Sequence, residues 1–286
     1  MTAGPEDLEA VRRGSADRLA RMRSALAGLD GALVAFSGGV DSTFVLAVAR
    51  EVLGDRAVAL TAHSPSVPAA EREEARRLAA RLGVRHLERT SREGDDPRYR
   101  ANPVDRCYFC KDELYRLCEG VAREEGLAAI LDGFNADDHR DHRPGRRAGL
   151  EHGVRSPLSE AGLTKLEVRA WSAALGLPTW DKPQMACLAS RIPYGTEVTP
   201  ERLARVEAAE AALRGMGFHD LRVRYHGDLG RVELGEAELE EGFRRRGELV
   251  AAVKGAGFKL AVLDLEPFRS GRMNALAGVA LPVVAP

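Results

Sequence analysis

The residues with the clearest chemical role form a short turn within the stretch VAFSGGVDST, residues 34–43. The turn combines two glycines with hydroxyl and carboxylate side chains: Ser37, Gly38, Gly39, Asp41 and Ser42. An apolar run precedes it and a helical pattern follows, so it is predicted to join a strand to a helix. Its backbone N–H groups and the helix dipole would then form a cradle for an anion. The alternative is a plain glycine turn with a capped helix.

The turn has neither the GxxxxGK[ST] pattern nor the GxGxxG pattern. A lysine that would reach the terminal phosphates of a nucleotide is therefore missing from the motif. The sequence argues against transfer of a terminal phosphoryl group and leaves open which nucleotide chemistry the turn serves.

The chain has four cysteines, too few for a disulfide scaffold, so their spacing decides their role. Cys107 and Cys110 form a CxxC pair near the predicted start of a helix, where the helix field favours a thiolate. Alternatively, both belong to the apolar face of that helix. Cys187 lies in a predicted interdomain loop beside a hydroxyl and a guanidinium, a setting that core packing does not explain. Cys118 is about 12 Å along the helix from Cys110, and we expect it to be buried.

Cys107, Cys110 and Cys187 supply three thiolates from two distant segments. Closed structural zinc needs four ligands, so this count does not suit it. Three cysteines would suit a cubane iron–sulfur cluster with one open iron, where a sulfide or a substrate binds.

The elements that position these residues alternate between strand and helix in the first part of the chain. Apolar runs at about 31–36, 57–63 and 127–133 are typical of strands, and amphipathic segments separate them. The alternation predicts an α/β fold with a parallel sheet and right-handed crossovers. Ligands should bind at the carboxyl ends of its strands.

The pattern changes after a proline-containing stretch at 178–200. Helix, strand, strand, helix and strand follow, with a hairpin signal at Gly227 and Asp228. We therefore expect two domains, a nucleotide-binding domain of residues 1–190 and a small α+β domain of residues 191–286.

Composition excludes several classes of protein. The chain is 44% hydrophobic and 30% charged, and no apolar run approaches the roughly 20 residues of a membrane span. The segment MTAGPEDLEAVRRG lacks the pattern of a secretory signal, so a cytoplasmic location is expected.

The net charge is −1, and residues 201–286 contain equal numbers of basic and acidic residues. This balance makes nucleic acid an improbable partner.

Six segments, in this order and spanning roughly residues 20–265, resemble the LarE family of PP-loop sulfurtransferases: SGGVDST, NPVDRCYFCK, DGFNADDHRDHRPGRRA, GVRSPLSEAGLTK, CLASRIPYG and LRVRYHGDLGRVEL. These enzymes help to make the nickel-pincer nucleotide cofactor of lactate racemase. The resemblance implies that ATP is split between its α- and β-phosphates. In that case Ser37, Gly38, Gly39 and Ser42 hold pyrophosphate, and Asp41 positions Mg²⁺.

The resemblance also implies a substrate, pyridinium-3,5-biscarboxylic acid mononucleotide. ATP adenylylates one of its carboxylates, and sulfur then displaces AMP to give a thiocarboxylate; a second round treats the other carboxylate. Some members give up the sulfur of a cysteine at the position of Cys187. Others also have a CxxC and hold a [4Fe–4S] cluster with three cysteines. This chain has all three, so we expect the cluster type, with loss of the Cys187 sulfur as the alternative.

Further roles follow from the resemblance, each weighed against a solvated surface position. Arg222 and Arg224 alternate on a predicted strand and would clamp the substrate phosphate. Glu210, Glu233 and Glu241 resemble positions at which the family binds metal or lines the substrate cavity. Polar loop residues would face the nucleotide or its charges: Asn135, Asp137, Arg143, Arg146 and Arg147. His139 and His142 have no assigned role. Family members also form larger rings, so a homo-oligomer is expected.

Two other hypotheses compete with the LarE-type transferase. The first is a PP-loop tRNA thiolase, which would also pair a CxxC with a third cysteine and a cluster. The balanced charge of the second half argues against it. The second is a nucleotide-binding protein with structural zinc and no sulfur chemistry.

Overall fold

The computed structural model describes residues 5–140, 144–183, 186–269 and 272. In chain order its helices and strands are α1 (Pro5–Ala27), β1 (Ala32–Ala35), α2 (Val40–Leu53), β2 (Ala57–His63), α3 (Ala69–Arg81), β3 (Arg85–Thr90), α4 (Pro97–Arg100), α5 (Arg106–Glu124), β4 (Ala129–Leu131), α6 (Pro144–Glu151), α7 (Pro157–Ala161), α8 (Lys165–Ala174), α9 (Pro200–Gly215), β5 (Leu221–His226), β6 (Leu229–Leu234), α10 (Leu239–Arg244), α11 (Arg246–Gly255) and β7 (Leu260–Leu263).

The chain folds into two compact units. The first, unit A, contains residues 1–64, 69–93 and 107–185. The second, unit B, contains residues 65–68, 94–106 and 186–286. Unit B therefore takes in two short stretches that precede residue 107 in the chain. No helix among the described residues is long and apolar enough to cross a membrane.

Unit A is built on a parallel four-stranded sheet with the strand order β3-β2-β1-β4, which confirms the predicted α/β class. Strand β1 lies inside the sheet and is buried along its whole length. Its alternate residues serve two cores. Val34 packs with residues of α1, α2 and α8, whereas Leu33 packs with the buried face of α5. Helices thus cover both faces of the sheet, as a buried parallel sheet requires.

Unit B contains a small three-stranded sheet with the strand order β5-β6-β7. Strands β5 and β6 are antiparallel, and β7 runs parallel to β6. Gly227 and Asp228 form the two-residue turn between β5 and β6, as their pattern predicts. Gly227 has a φ of +66°, which a residue with a side chain rarely adopts. Helices α9 and α11 pack against this sheet.

Candidate active site

The glycine turn joins β1 to α2 at the carboxyl edge of the parallel sheet. Gly38 has a φ of +70°, and a Cβ atom there would lie 3.1 Å from the Cα and Cβ atoms of Ala75 in α3. The position therefore requires glycine for its backbone angle and for the close approach of α3. The hydroxyl oxygens of Ser37 and Ser42 lie 3.0 Å apart, and the Ser37 N–H donates to the Ser42 hydroxyl at 3.3 Å.

Asp41 is the first acidic residue of α2 and the only carboxylate inside the turn motif. Its Oδ2 atom accepts from the Lys165 ammonium at 2.5 Å, and its Oδ1 atom accepts from the Asn135 amide at 3.5 Å. The Asp41 side chain remains 23% exposed. Mg²⁺ in nucleotide sites is held by one or two carboxylates together with substrate phosphates, and Asp41 fits this chemistry.

A second lysine reaches the turn from the other side. The Lys182 ammonium donates to the Gly38 carbonyl at 3.4 Å and to Glu71 and Glu74 of α3 at 2.7 and 2.8 Å. Its own backbone carbonyl accepts from Arg169 of α8 at 2.8 Å. Lys182 therefore ties the glycine turn to α3, and it is held in place by α8.

Cys107 and Cys110 lie on the first turn and a half of α5, where Cys107 is exposed and Cys110 is half-buried. Helix α6 packs against this part of α5. A Cβ atom on Gly145 would lie 2.7 Å from the Lys111 side chain, and the Arg147 guanidinium lies 4.0 Å from the centre of the Tyr108 ring. The CxxC pair of unit A is thus partly accessible, and the cations Lys111 and Arg147 lie at the same contact between α5 and α6.

Cys118 is fully buried in the core between α5 and the sheet, as predicted. Burial in this apolar setting raises the pKa of its thiol to about 12. At neutral pH Cys118 is a thiol and a core residue, and it offers no thiolate for sulfur chemistry.

Cys187 belongs to unit B and is half-buried. The Arg106 guanidinium lies 3.9 Å from its sulfur and also donates to the Ala189 carbonyl at 2.9 Å. The Cys187 carbonyl accepts from the Ser190 hydroxyl at 2.7 Å and from Arg191 at 3.0 Å. The thiol thus sits beside a buried cation on a backbone that several hydrogen bonds hold.

Glu210 of unit B is fully buried and forms a salt bridge with the equally buried Arg191, with an N–O distance of 2.8 Å. It also accepts from Arg214 at 2.9 Å and from the Val223 N–H at 3.1 Å. Burial opposes ionisation of Glu210, but the charge and hydrogen bonds of Arg191, together with the Arg214 charge and the Val223 N–H, outweigh it, so the pKa of the carboxyl is lowered. A metal ion at Glu210 would have to replace these partners, and the metal role predicted for it stays a prediction.

Arg222 and Arg224 lie on one face of β5, and both are nearly buried. Arg224 pairs with the buried Glu233 at 2.8 Å, and Glu233 also pairs with Arg231 at 3.0 Å. Arg222 has no carboxylate partner among the described residues. Its guanidinium lies 4.5 Å from the centre of the Phe268 ring, and burial lowers its pKa to about 10. Arg222 therefore remains a cation at neutral pH.

In the polar loop after β4, the Asn135 amide donates to the Asp41 carboxylate. The Asp137 carboxylate accepts from the Lys165 backbone N–H at 2.8 Å. Arg146 lines a cavity of about 120 Å³ together with Asp132 and Glu160. His139 contacts the Ser159 hydroxyl. Arg143 and His142 lie outside the described residues, and Glu241 pairs with its helical neighbours Arg244 and Arg245.

No group of three or more His, Cys, Asp or Glu side chains that could hold a metal ion occurs within the described ranges. Unit A contributes two accessible thiols, and Cys187 belongs to unit B. The donor set of a three-cysteine cluster is therefore present in type and number, but it is divided between the two units. An assembled cluster site is not part of the described structure.

Two comparisons with known proteins decide the family. A family model described as asparagine synthase matches residues 30–213. A pyridinium-3,5-bisthiocarboxylic acid mononucleotide synthase of Lactiplantibacillus plantarum is 40% identical over 260 residues, which cover 91% of this chain and 94% of that protein. The chain belongs to the LarE family of ATP-dependent PP-loop sulfurtransferases.

Two other proteins are similar to this LarE-family chain. An uncharacterised protein of Synechocystis sp. is 46% identical over 259 residues, or 90% of this chain and 97% of that protein. A probable tRNA sulfurtransferase of Methanothermobacter thermautotrophicus is 31% identical over 204 residues, but these cover only 64% of this chain and 50% of that protein.

The structure adds three residues that the sequence pattern did not single out. Lys165 and Lys182 reach the LarE-family turn from distant segments, and Arg106 lies beside Cys187. The sequence offered one signal for the position of Lys165: Thr164 and Glu167 have the spacing of a capping box, which starts α8 at Lys165. Nothing in the sequence pattern points to Lys182 or Arg106 as partners of these sites.

Proposed function

We propose that the chain replaces carboxylate oxygens of pyridinium-3,5-biscarboxylic acid mononucleotide by sulfur at the expense of ATP. The observation that carries this proposal is the glycine turn between β1 and α2, with Asp41 partly exposed at the start of the helix. Identity of 40% to a synthase of the bisthiocarboxylic acid supports the choice of substrate. The chain covers 94% of that relative, so the comparison extends over nearly the whole length of that enzyme.

In the first step the glycine turn binds the phosphates that leave. Backbone N–H groups of residues 38–42 and the positive end of α2 stabilise the pyrophosphate. Mg²⁺, held by Asp41, would neutralise phosphate charge. A substrate carboxylate oxygen attacks the α-phosphorus, and the bond from that phosphorus to the pyrophosphate oxygen breaks. The products are an acyl-adenylate and pyrophosphate.

In the second step a sulfur nucleophile attacks the activated carboxyl carbon, and the bond from that carbon to the AMP oxygen breaks. The carboxylate becomes a thiocarboxylate, and AMP leaves with the bonding electrons. No oxidant or reductant is required when the nucleophile is sulfide. Cys107, Cys110 and Cys187 would hold a [4Fe–4S] cluster, which when bound supplies an open iron where sulfide can reside.

Support for the cluster comes from the cysteines themselves. Cys107 and Cys110 are i and i+3 on one helix face and are not buried in the core. Cys118, the remaining thiol, is excluded by burial. The cluster requires that Cys187 of unit B meet the CxxC pair, and this meeting is part of the proposal.

The alternative source of sulfur is Cys187 itself. Its sulfur lies 3.9 Å from the Arg106 guanidinium, a charge that favours an anionic sulfur nucleophile. Attack by this sulfur, followed by cleavage of its Cβ–S bond with loss of the Cα proton, would leave dehydroalanine at position 187. The enzyme would then work once.

Arg222 is the better of the two predicted phosphate ligands. It is a nearly buried cation without a carboxylate partner among the described residues, whereas Arg224 is neutralised by Glu233. We therefore assign the substrate phosphate to Arg222. Arg224, Glu210 and Glu233 then act by positioning β5 and the segment that follows Cys187.

A tRNA substrate is the competing proposal, since one relative is a probable tRNA sulfurtransferase. That relative matches this chain over only half of its length, and this chain carries a net charge of −1. Both facts favour the mononucleotide.

The experiment is pyrophosphate release from ATP with purified chain. We expect pyrophosphate release that depends on the mononucleotide and is lost in Asp41→Asn. Added tRNA should not compete with the mononucleotide. Thiocarboxylate is expected only when a sulfur source is present. Salt-sensitive release that depends on tRNA and ignores the mononucleotide would overturn the proposal.

A further inference from the structure

Two lysines supply to the glycine turn the positive charge that its motif lacks. Lys165, the first residue of α8, places its ammonium 2.5 Å from the Oδ2 atom of Asp41. Lys182 places its ammonium on the Gly38 carbonyl and on two glutamates of α3. In sequence they lie 124 and 144 residues from their partners in the turn.

The two lysines differ in how firmly they are bound. The Lys182 side chain is 13% exposed and pairs with two carboxylates, so it is committed to holding the turn. The Lys165 side chain is 31% exposed, and its partner Asp41 is 23% exposed. A single ion pair that water reaches is weak and is readily replaced by a competing ion.

The backbone beneath Lys165 is fixed, so only its side chain is free to change partner. The Lys165 N–H donates to Asp137 at 2.8 Å. Thr164 and Glu167 close a capping box around the same helix start. A lysine side chain is a flexible four-carbon stem with three rotatable donors, and it can turn to a new acceptor without moving the helix.

Asp41 is also the residue to which we assign Mg²⁺, and the described residues offer no group of three metal ligands. The Lys165 ammonium on Oδ2 and a metal ion repel each other, so the lysine opposes binding of a metal ion to the same carboxylate. We propose that Lys165 and the metal exchange on Asp41. Lys165 holds Asp41 in the nucleotide-free chain; when metal and ATP arrive, the metal takes the carboxylate and the Lys165 ammonium turns to the phosphates.

The exchange makes metal binding depend on the nucleotide. Metal alone has to displace Lys165 and gains only one carboxylate, so it binds weakly. With ATP present, both cations find anionic partners, and each ligand strengthens the binding of the other by the same factor. This inference rests on the proposed function only in its use of ATP and a divalent metal at the turn.

The test measures binding and does not depend on turnover. Mn²⁺ serves as the metal probe by electron paramagnetic resonance, and a nonhydrolysable α,β-methylene ATP serves as the nucleotide in calorimetry. In Lys165→Met we expect Mn²⁺ alone to bind about tenfold tighter and the metal-free nucleotide to bind about tenfold weaker, so that their mutual coupling falls. Lys165→Arg keeps the charge and should hold Mn²⁺ affinity near that of the wild type.

Lys259→Met is the matched control, since Lys259 pairs with Asp228 on an exposed surface of unit B. The double variant Asp41→Asn/Lys165→Met should lose the tighter Mn²⁺ binding. Unchanged Mn²⁺ affinity in Lys165→Met, or tight binding that persists in the double variant, would overturn the exchange while leaving the proposed function intact. A wild-type chain that binds no nucleotide analogue would overturn both.

Discussion

At the scale of single residues, the same side-chain type has different consequences according to its partner. Arg191 and Arg222 are both buried cations of unit B. Arg191 neutralises Glu210, a carboxylate that is fully removed from water. Arg222 faces an aromatic ring and has no carboxylate partner among the described residues. Removal of Arg191 should therefore affect folding, and removal of Arg222 should affect ligand binding.

Arg191→Met is expected to destabilise the chain by about 3–5 kcal/mol, because it leaves the Glu210 charge buried with fewer partners. Urea unfolding followed by circular dichroism measures this loss. Arg222→Met should unfold within about 1 kcal/mol of the wild type but raise the KM for the mononucleotide, with little change in kcat. Equal destabilisation of the two variants would contradict the division of roles.

Cysteine reactivity separates the two kinds of thiol on α5. Cys107 is exposed, whereas burial raises the pKa of Cys118 to about 12. Iodoacetamide at pH 8 should label Cys107 in the folded, metal-free chain and leave Cys118 unlabelled until the chain is unfolded. Peptide mass spectrometry gives the labelled fraction at each position. Rapid labelling of Cys118 in the folded chain would show that α5 is not packed on the sheet as described.

At the scale of elements, local sequence specifies the glycine turn but not its supports. A strand pattern, two glycines and a helix pattern sufficed to predict the turn and the place of Asp41 at the start of α2, because these depend on near neighbours in sequence. Lys165 and Lys182 escaped prediction because their contacts depend on where α8 and α3 pack. For the same reason the pattern gave no sign that residues 65–68 and 94–106 join unit B.

The turn itself is tested by two glycine variants. Gly38→Ala places a side chain at a φ of +70° and 3.1 Å from Ala75, so it should weaken pyrophosphate binding at least about tenfold. Gly14→Ala is the control, because Gly14 lies inside α1 and its added Cβ meets nothing within 4 Å. This control should stabilise the chain by about 0.5–1 kcal/mol and leave pyrophosphate binding unchanged. Calorimetry with pyrophosphate distinguishes the two variants.

The packing of α5 predicts a dependence of stability on pH. Burial lowers the pKa of His152, but its contacts with Asp112 and Glu119 of α5 outweigh burial and raise it; Arg116 also pairs with Asp112. A raised folded-state pKa stabilises the fold below the unfolded pKa of about 6.5 and loses this effect as pH rises through the folded value.

His152→Asn should therefore destabilise the chain more at pH 6 than at pH 9. His219→Asn, on the exposed surface, is the control for the loss of a histidine. Urea midpoints at the two pH values measure the difference. A larger loss at pH 9 would show that the two carboxylates do not hold the proton on His152.

At the scale of the whole molecule, the proposed cluster requires the three cysteines of two units to act together. Family membership and the α/β class could be predicted from motifs spread along the chain. The meeting of Cys187 with the CxxC pair stays a prediction, because it depends on the placement of whole units. Cys107→Ser and Cys118→Ser provide a matched pair on one helix.

After anaerobic reconstitution, the wild type should contain about four irons and four sulfides per chain. Cys118→Ser, once shown to fold, should retain them, and Cys107→Ser should lose them while it still releases pyrophosphate. Iron and sulfide assays together with the pyrophosphate assay measure these outcomes. Sulfur transfer that survives undiminished in Cys107→Ser would favour Cys187 as the sulfur source.

The most direct test of the central claim is mass spectrometry of the mononucleotide after reaction with ATP, Mg²⁺ and sulfide under anaerobic conditions. We predict that each carboxylate gains the mass of one sulfur and loses that of one oxygen, with one AMP and one pyrophosphate formed for each exchange. ATP cleavage to ADP and phosphate, or a mononucleotide of unchanged mass after stoichiometric AMP formation, would contradict the account.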